Sequence, residues 1–538
     1  MTPADAAPAR TPWNWWLLLA AAAFIGFASN IWNTPLFDLD EGAFSEATLE
    51  MIRSGNWLTT TLNGVPRYAK PILTYWLQGA SVEIFGVHTF AFRLPSVLCA
   101  CLWMLAVWRF SRSHLPNPRG ALVAALVVPL GLMSGIIGHA AIADAALNLF
   151  LALTLFDVYR YFERPARAPM LRVYLWMGLG LLTKGPVAVV LPLVAGTLFF
   201  LWQRRGRDWL RALLFIPGWC LTLAILAVWL VPLYLHGDGG FLAHFILGQN
   251  VDRYTSTMQG HGGRLWYYFL WFPLILLPFT ALVVPAFRHG IRRSADPLDA
   301  WLLLWFAVTF VIFTFSSTQL PHYLLYGCSG LFVLLGKYHE RAPAKLWTLL
   351  GALLLALLYA ALPWILPHVP VPPRRAFAAG VIALAERSFQ PLYYALAFAN
   401  LALVVALIAW RGLAAWRALL IAAFAQAVVL WWAVVPLVAA AQQAPIREAA
   451  AIAHRLDQPT VSFHTHLPSF SVYRGAATRD GLPAEGGLVF LSKDQLPALR
   501  RALPHADLVT IYETGGVVLL EREESATPRL PGSAPRLQ

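Results

Sequence analysis

Runs of about 20 apolar residues recur along this chain, each long enough to cross roughly 30 Å of hydrocarbon at about 1.5 Å per residue. Inside hydrocarbon a backbone must satisfy its own hydrogen bonds, which a helix does and an open strand does not. The runs therefore confine the fold to a bundle of membrane-spanning α-helices. Composition points the same way: 538 residues are 59% hydrophobic and only 12% charged. That is about half the charge of an ordinary soluble chain. A water-soluble enzyme is excluded.

The first run, from about Trp13 to Trp32, is too long for a signal-peptide core and lacks a small-residue cleavage site, so it is expected to remain as a span. Further spans are predicted to begin near Leu94, Gly120, Ala141, Leu171, Pro186, Leu210, Trp266, Trp301, Leu320, Leu346, Pro391 and Ala418. That makes about 13 in all and puts the termini on opposite sides. With a cytoplasmic N-terminus, the inner connectors gather Arg109, Arg112, Arg119, Arg160, Arg164, Arg167, Arg172, Arg204, Arg205, Arg207 and Arg211, with more basic residues further on. This is the positive-inside pattern, and it accounts for the net charge of +13 without nucleic acid. Cys99, Cys101, Cys220 and Cys328 lie inside apolar runs at unrelated spacings, which predicts neither disulfides nor a thiolate metal site.

Residues 1–443 are thus expected to form the transmembrane unit, with interfacial helices in its first external loop. From 444 to 524 the pattern changes to short amphipathic stretches. IREAAAIAHRL and DQLPALRRAL read as helices, and TVSFH, LVFLS and VVLLER as strands, which predicts a small α/β domain on the outer side. The Pro- and Arg-rich residues 525–538 are expected to be disordered. No internal repeat is visible, which weighs against transporters built from two related halves.

Almost every unusual polar residue falls at the outer ends of the spans. FDLDEGAFSEATLEMIRSGNW, from Phe37, reads as a surface helix with Phe44, Ala47, Thr48 and Met51 on one side and Glu46, Glu50 and Arg53 on the other. Asp40 at its start is placed to accept a proton from a bound hydroxyl; the alternative is that Asp38 or Asp40 only caps the helix and Glu41 is a first-turn charge. Lys70 precedes Pro71 at a helix start, a seat for a phosphate or a snorkelling interfacial lysine. Asp144 lies in an apolar stretch, where a carboxylate needs a polar cavity or a partner. Lys184 stands in a two-residue turn before Gly185 and Pro186, facing a substrate or the carbonyls of a helix end.

The segment from Gly248 combines Arg253, His261 and Arg264 with Trp266, Tyr267 and Tyr268. The basic residues suggest an anion site; the aromatics are expected to belong to a membrane-interface belt. His322 and Tyr323 open another outer helix after Pro321.

In order, DLDEGAFSEA, NGVPRYAKPILTYW, an Asp in the fourth span, LLTKGP, NVDRYTS…HGG…WYY and QLPHYLL resemble the polyprenyl-phosphate-sugar-dependent glycosyltransferases of the GT-C type. Within them the pattern is similar to the bacterial aminoarabinose transferases that modify lipid A, with the protein O-mannosyltransferases as relatives. The resemblance covers roughly Trp13 to Gly336. It puts Asp40 and Glu41 on the family's acidic pair, whose aspartate is catalytic, and Asp144 on its second acidic position. It also puts Lys70, with Tyr68 beside it, on the KP motif, and Lys184, His322 and Tyr323 along the donor phosphate cavity, with Arg253 and His261 as further phosphate contacts.

The implied activity is inverting transfer of 4-amino-arabinose or a related sugar from undecaprenyl phosphate to lipid A or another periplasmic acceptor, at the outer face of a bacterial inner membrane. The alternative class is a transporter or flippase of an anionic lipid-linked substrate. Where the aminoarabinose transferases carry a metal-holding glutamate before the KP lysine, this chain has Ala69, so no cofactor is a firm expectation and a divalent metal is in doubt.

Overall fold

The computed structural model describes residues 12–236, 264–372 and 374–523. The N-terminal part contains α1 (Trp13–Ala23, continued by a π turn to Ala28), α2 (Asp40–Ser54), a hairpin of β1 (Thr61–Leu62) and β2 (Val65–Pro66), and α3 (Leu73–Phe85). The bundle continues with α4 (Thr89–His114), α5 (Pro118–Leu130), α6 (Leu132–His139), α7 (Asp144–Glu163), α8 (Arg167–Lys184), α9 (Val187–Trp202), α10 (Gly206–Leu213) and α11 (Ile216–Leu235). After residue 263 come α12 (Tyr267–Ile275), α13 (Val283–Arg292), α14 (Pro297–Thr314), α15 (Leu325–Lys337), α16 (Lys345–Ile365), α17 (Ala376–Arg387), α18 (Pro391–Ala409), α19 (Ala415–Val429) and α20 (Val435–Gln442).

Among the described residues, seven helices are long and apolar enough to cross a membrane, or nine if each of two bent pairs is one span. The pairs bend by 61° between α5 and α6 and by 106° between α12 and α13. Extended backbone at Gly131 breaks the first pair (φ −73°, ψ 137°). The expectation of about 13 spans is met only by adding α1, α8, α9 and α15. Of these, α1, α9 and α15 are short, and α8 carries Arg167, Arg172 and Lys184. The span expected to begin near Leu210 instead starts at Ile216, because residues 206–213 form a separate short helix, α10.

Small residues set how closely the central helices approach. A Cβ on Gly336 of α15 would sit 2.3 Å from the carbonyl oxygen of Gly120 on α5, so these two helices meet backbone to backbone. Long apolar side chains such as Leu210, Leu214, Ile216 and Trp364 stay exposed on the rim, as a lipid-facing surface requires.

The C-terminal unit is a four-stranded mixed sheet in the order β3-β4-β6-β5, from β3 (Thr460–Ser462), β4 (Leu488–Ser492), β5 (Leu508–Thr514) and β6 (Val517–Arg522). It carries helices α21 (Ala444–Leu456), α22 (Ser469–Arg474) and α23 (Leu496–Ala502). β3 and β4 are parallel; the other pairs are antiparallel. Ile446, Ala449, Phe470, Phe490 and Leu519 form a core of their own.

One element departs from its sequence pattern in an instructive way. The acidic side of α2 was expected to face water, yet every residue from Glu41 to Met51 is buried, with Glu46 at 0% exposure. The cause is α22, which covers that side: a Cβ on Gly42 would lie 2.7 Å from the Ser469 nitrogen. Glu50 accepts hydrogen bonds from Thr61 Oγ1 and from the Gly64 amide of the hairpin. Glu46 pairs with Arg53 at 3.5 Å. Burial pushes Glu46 up to about 8, against the lowering effect of the Arg53 charge and with a further push from Glu50.

A carboxylate whose folded pKa is raised contributes stability that is complete below its ordinary value of 4.5 and is lost as pH climbs through about 8. Glu46→Gln is therefore expected to flatten the fall in thermal midpoint of the purified protein between those two values. A slope identical to wild type would show that Glu46 is not the group that titrates.

Candidate active site

The first external loop is held by a buried ion pair. Glu41 Oε1 accepts from Arg93 Nε (2.8 Å) and the Ala141 amide (2.7 Å), while Oε2 accepts from Arg93 Nη2 (2.7 Å) and the Phe37 amide (2.8 Å). Arg93 spends its remaining N–H groups on the carbonyls of Ile31, Thr34 and Pro35. Burial alone would raise Glu41; the Arg93 charge and the hydrogen bonds from Arg93, Phe37 and Ala141 outweigh it and hold the carboxyl below the usual range. One residue pair thereby fixes the loop 31–37, the start of α2, α4 and the turn before α7.

This changes the reading of the acidic pair. Glu41 has no oxygen left to take a proton from a substrate, so it positions the loop. Asp40, its neighbour at the first position of α2, is exposed. Neither Asp38 nor Asp40 caps the helix: Leu39 occupies the cap position and no side chain bonds there.

The C-terminal unit grips the same loop from above. Tyr473 Oη accepts from the Leu36 amide at 2.6 Å, and Asp38 accepts from the Ser469 amide at 2.9 Å and from its hydroxyl. With its amide oriented to suit both neighbours, Gln443 donates to the Leu36 carbonyl (3.0 Å) and accepts from the Asp38 amide (3.2 Å). Burial raises the Asp38 carboxyl to about 7, opposed by its Ser469 hydrogen bonds.

A second cluster lies where α7 begins and α8 ends. Asp144 Oδ1 accepts from Lys184 Nζ at 2.6 Å and from Tyr326 Oη at 2.5 Å, with His322 Nε2 at 3.4 Å. Lys184 also donates to Tyr326 Oη at 2.8 Å and stands 5.2 Å from the Tyr323 ring centre. Gly185, at φ +83°, lets the chain reverse immediately after Lys184.

The charges of Asp40 and Lys70 are felt at His322 as well as those of Asp144 and Lys184. Of the residues singled out in the sequence, the structure brings Asp144, Lys184, His322 and Tyr323 together, and the charges of Asp40 and Lys70 are felt at His322. Tyr68 is half-buried two positions before Lys70. Arg253 and His261 lie outside the described residues. Tyr268 does not join an interface belt: it is fully buried and donates to the Leu320 carbonyl at 3.0 Å, tying α12 to the segment that carries His322.

Sequence reasoning missed Arg93, Tyr326 and Tyr473. An arginine within an apolar span is a detectable signal, because such a charge must find a partner. The two tyrosines have no comparable mark.

Residues 69–231 match the family described as dolichyl-phosphate-mannose-protein mannosyltransferase. An uncharacterized protein of Aquifex aeolicus is 31% identical over 346 residues, which are 63% of this chain and 77% of that one. The chain belongs to the GT-C type glycosyltransferases of the membrane. Among further members, an undecaprenyl phosphate-alpha-4-amino-4-deoxy-L-arabinose arabinosyl transferase of Edwardsiella ictaluri is 26% identical over 61% of this chain and 59% of its own length. A protein of the same name from Shewanella sediminis is 29% identical over 56% of this chain and 55% of its own. The matched segments thus span little more than half of these two arabinosyl transferases.

The fold agrees over a longer stretch. The crystal structure of ArnT from Cupriavidus metallidurans bound to undecaprenyl phosphate superposes with a TM-score of 0.79, covering 95% of this chain and 98% of that one at 18% identity. For this GT-C glycosyltransferase the helical architecture and the small sheet region are therefore those of ArnT. Ala69 offers no ligand atom beside Lys70, and no three metal-binding side chains converge among the described residues.

The Glu41–Arg93 pair predicts a specific stability pattern. Arg93→Met leaves a buried carboxylate with only two donors and is expected to cost about 3–5 kcal/mol. Glu41→Gln combined with Arg93→Met, which leaves no charge buried, is expected to recover part of that loss. Thermal or denaturant unfolding of the purified variants measures both, and a harmless Arg93→Met would refute the clamp.

Proposed function

We propose that this glycosyltransferase moves a sugar, 4-amino-arabinose or a related one, from undecaprenyl phosphate to lipid A or another periplasmic acceptor, with inversion at the anomeric carbon. The observation that carries the reading is the contact cluster of Asp144, Lys184, Tyr326 and His322, with the charges of the exposed Asp40 and of Lys70 felt at the same imidazole. The names of the arabinosyl transferases and the undecaprenyl phosphate in the related crystal structure support the choice of donor.

In this reaction the acceptor oxygen bonds to the anomeric carbon while the bond from that carbon to the phosphate oxygen breaks, leaving its electron pair on the phosphate. The acceptor proton passes to Asp40. The departing phosphate gains negative charge, so cations that hold it more tightly than the ester lower the barrier. Lys184 suits this role because Asp144 and Tyr326 use two of its three N–H groups and leave one for a phosphate oxygen. Lys70 precedes Pro71 and α3, and in this reading it is the second cation for the phosphate. Arg253 and His261, outside the described residues, complete the phosphate-binding set in this reading, with Tyr68, His322 and Tyr323 along its wall.

Arginine-rich connectors gather at the opposite end of the bundle, which in the positive-inside arrangement faces the cytoplasm and leaves the site on the periplasmic side. A carboxylate and cations gathered at one end favour a transferase over a carrier, which needs polar groups near the midplane.

Asp40→Asn is expected to lower sugar transfer from a polyprenyl-phosphate donor by about 10²–10⁴ while leaving polyprenyl-phosphate binding intact. The rate is measured in membranes containing the variant and its acceptor. Activity near wild type would remove Asp40 from the mechanism.

A further inference from the structure

At the end of the bundle remote from Asp144 and Lys184, a groove of about 820 Å³ opens between the start of α8, the amphipathic helix α10 and the start of α11. Lys184 closes α8 and Arg167 opens it, so the 18 residues of that helix separate the groove from the active-site region by roughly 25 Å. Three arginines from two different elements line it: Arg167 from the first turn of α8, and Arg207 and Arg211 from α10. The rest of the lining is apolar, and Leu210, Leu214 and Ile216 are 55%, 67% and 72% exposed.

The helix that presents two of these arginines is firmly anchored. Trp209 is buried, stacks on Phe200 at 5.0 Å between ring centres and donates to Thr197 Oγ1 at 2.8 Å. A Cβ on Gly196 would lie 2.4 Å from the Trp209 ring, so α9 makes room for it with a glycine. With Trp209 pinned inward, Arg207 and Arg211 are held on the open side. Asp208 pairs with Arg205 at 2.7 Å and reaches Arg211 at 3.6 Å. Arg167 and Arg207 make no ion pair among the described residues.

The structure assigns this groove as a binding site for an anionic diacyl phospholipid of the inner leaflet, its headgroup phosphate between Arg167, Arg207 and Arg211 and its acyl chains along Leu210, Leu214 and Ile216. Guanidinium groups suit a phosphate because their paired donors match its oxygens. The apolar wall selects a lipid over a free anion: an inorganic phosphate would leave those side chains uncovered, whereas a lipid extends them into the bilayer. The site is separate from the glycosyl-transfer reaction and gives α10, which is too short to span, a reason to lie where α9 ends and α11 begins.

Native mass spectrometry of the full-length protein released from detergent tests this with phosphatidylglycerol, phosphatidylcholine and inorganic phosphate as probes. Bound phosphatidylglycerol is expected to exceed phosphatidylcholine clearly, and each of Arg167→Gln, Arg207→Gln and Arg211→Gln to lower it by about five-fold. Single exchanges leave the other arginines to maintain orientation, and the thermal midpoint of each variant reports whether it is folded. Arg288→Gln, in a different inner connector, is expected to bind as wild type and so separates this groove from general surface charge. Equal binding of the two lipids, unchanged binding by all three groove variants, equal loss with Arg288→Gln, or displacement of the lipid by inorganic phosphate would each overturn the assignment.

Discussion

A carboxylate and a guanidinium buried together are stable only when every lone pair and every proton finds a partner, because both charges have been taken out of water. Glu41 and Arg93 meet that demand in full. The carboxylate takes two donors on each oxygen, and the guanidinium gives its other protons to three loop carbonyls. The pair is therefore specific about geometry: it accepts one arrangement of the loop between α1 and α2, and that arrangement leaves Asp40 facing out. A loop that would otherwise fray at the membrane surface is fixed from below by Arg93 and from above by Tyr473, Ser469 and Gln443 of the C-terminal part. The small α/β unit thus contributes to the site without placing a residue among the reacting groups.

The second cluster uses charge differently. Asp144, Lys184, Tyr326 and His322 come from α7, α8 and the segment around α15, so one carboxylate oxygen ties three parts of the bundle together. In the proposed reaction the same carboxylate aims Lys184 and leaves it one proton for the phosphate. A lysine aimed in this way is ready for an anion before the anion arrives, which reduces the ordering cost of binding.

Much of this was legible in the sequence because hydrocarbon enforces simple rules. The apolar runs located the helices, with α4, α5, α7 and α14 starting within a few residues of their expected positions, and the strand patterns TVSFH, LVFLS and VVLLER each lie on a strand. Order along the chain also gathered the outer polar residues, since a span must return each connector to one face or the other. What the pattern could not reveal was burial of polar surface by a distant segment. α2 looks like a surface helix because five of its 15 residues are charged, yet α22, more than 400 residues later, covers it and the β1–β2 hairpin holds Glu50, so that Glu46 and Glu50 are both buried. The division of labour between Asp40 and Glu41 was hidden for the same reason: adjacent acids look alike until Arg93, 52 residues away, claims one of them. The strand Leu508–Thr514, an edge strand whose residues are mostly exposed or half-buried, was passed over.

The central claim is the proposal that the Asp40 carboxylate and the lysines serve one lipid phosphate at the outer end of the bundle. A cryo-electron microscopy structure of the full-length protein in a nanodisc with polyprenyl phosphate tests it most directly. The account predicts the phosphate within hydrogen-bonding distance of Lys70 or Lys184, on the side of His322 that Asp40 faces. A phosphate bound elsewhere, or seated with Asp40 walled off from it by Glu41 and the C-terminal unit, would contradict it.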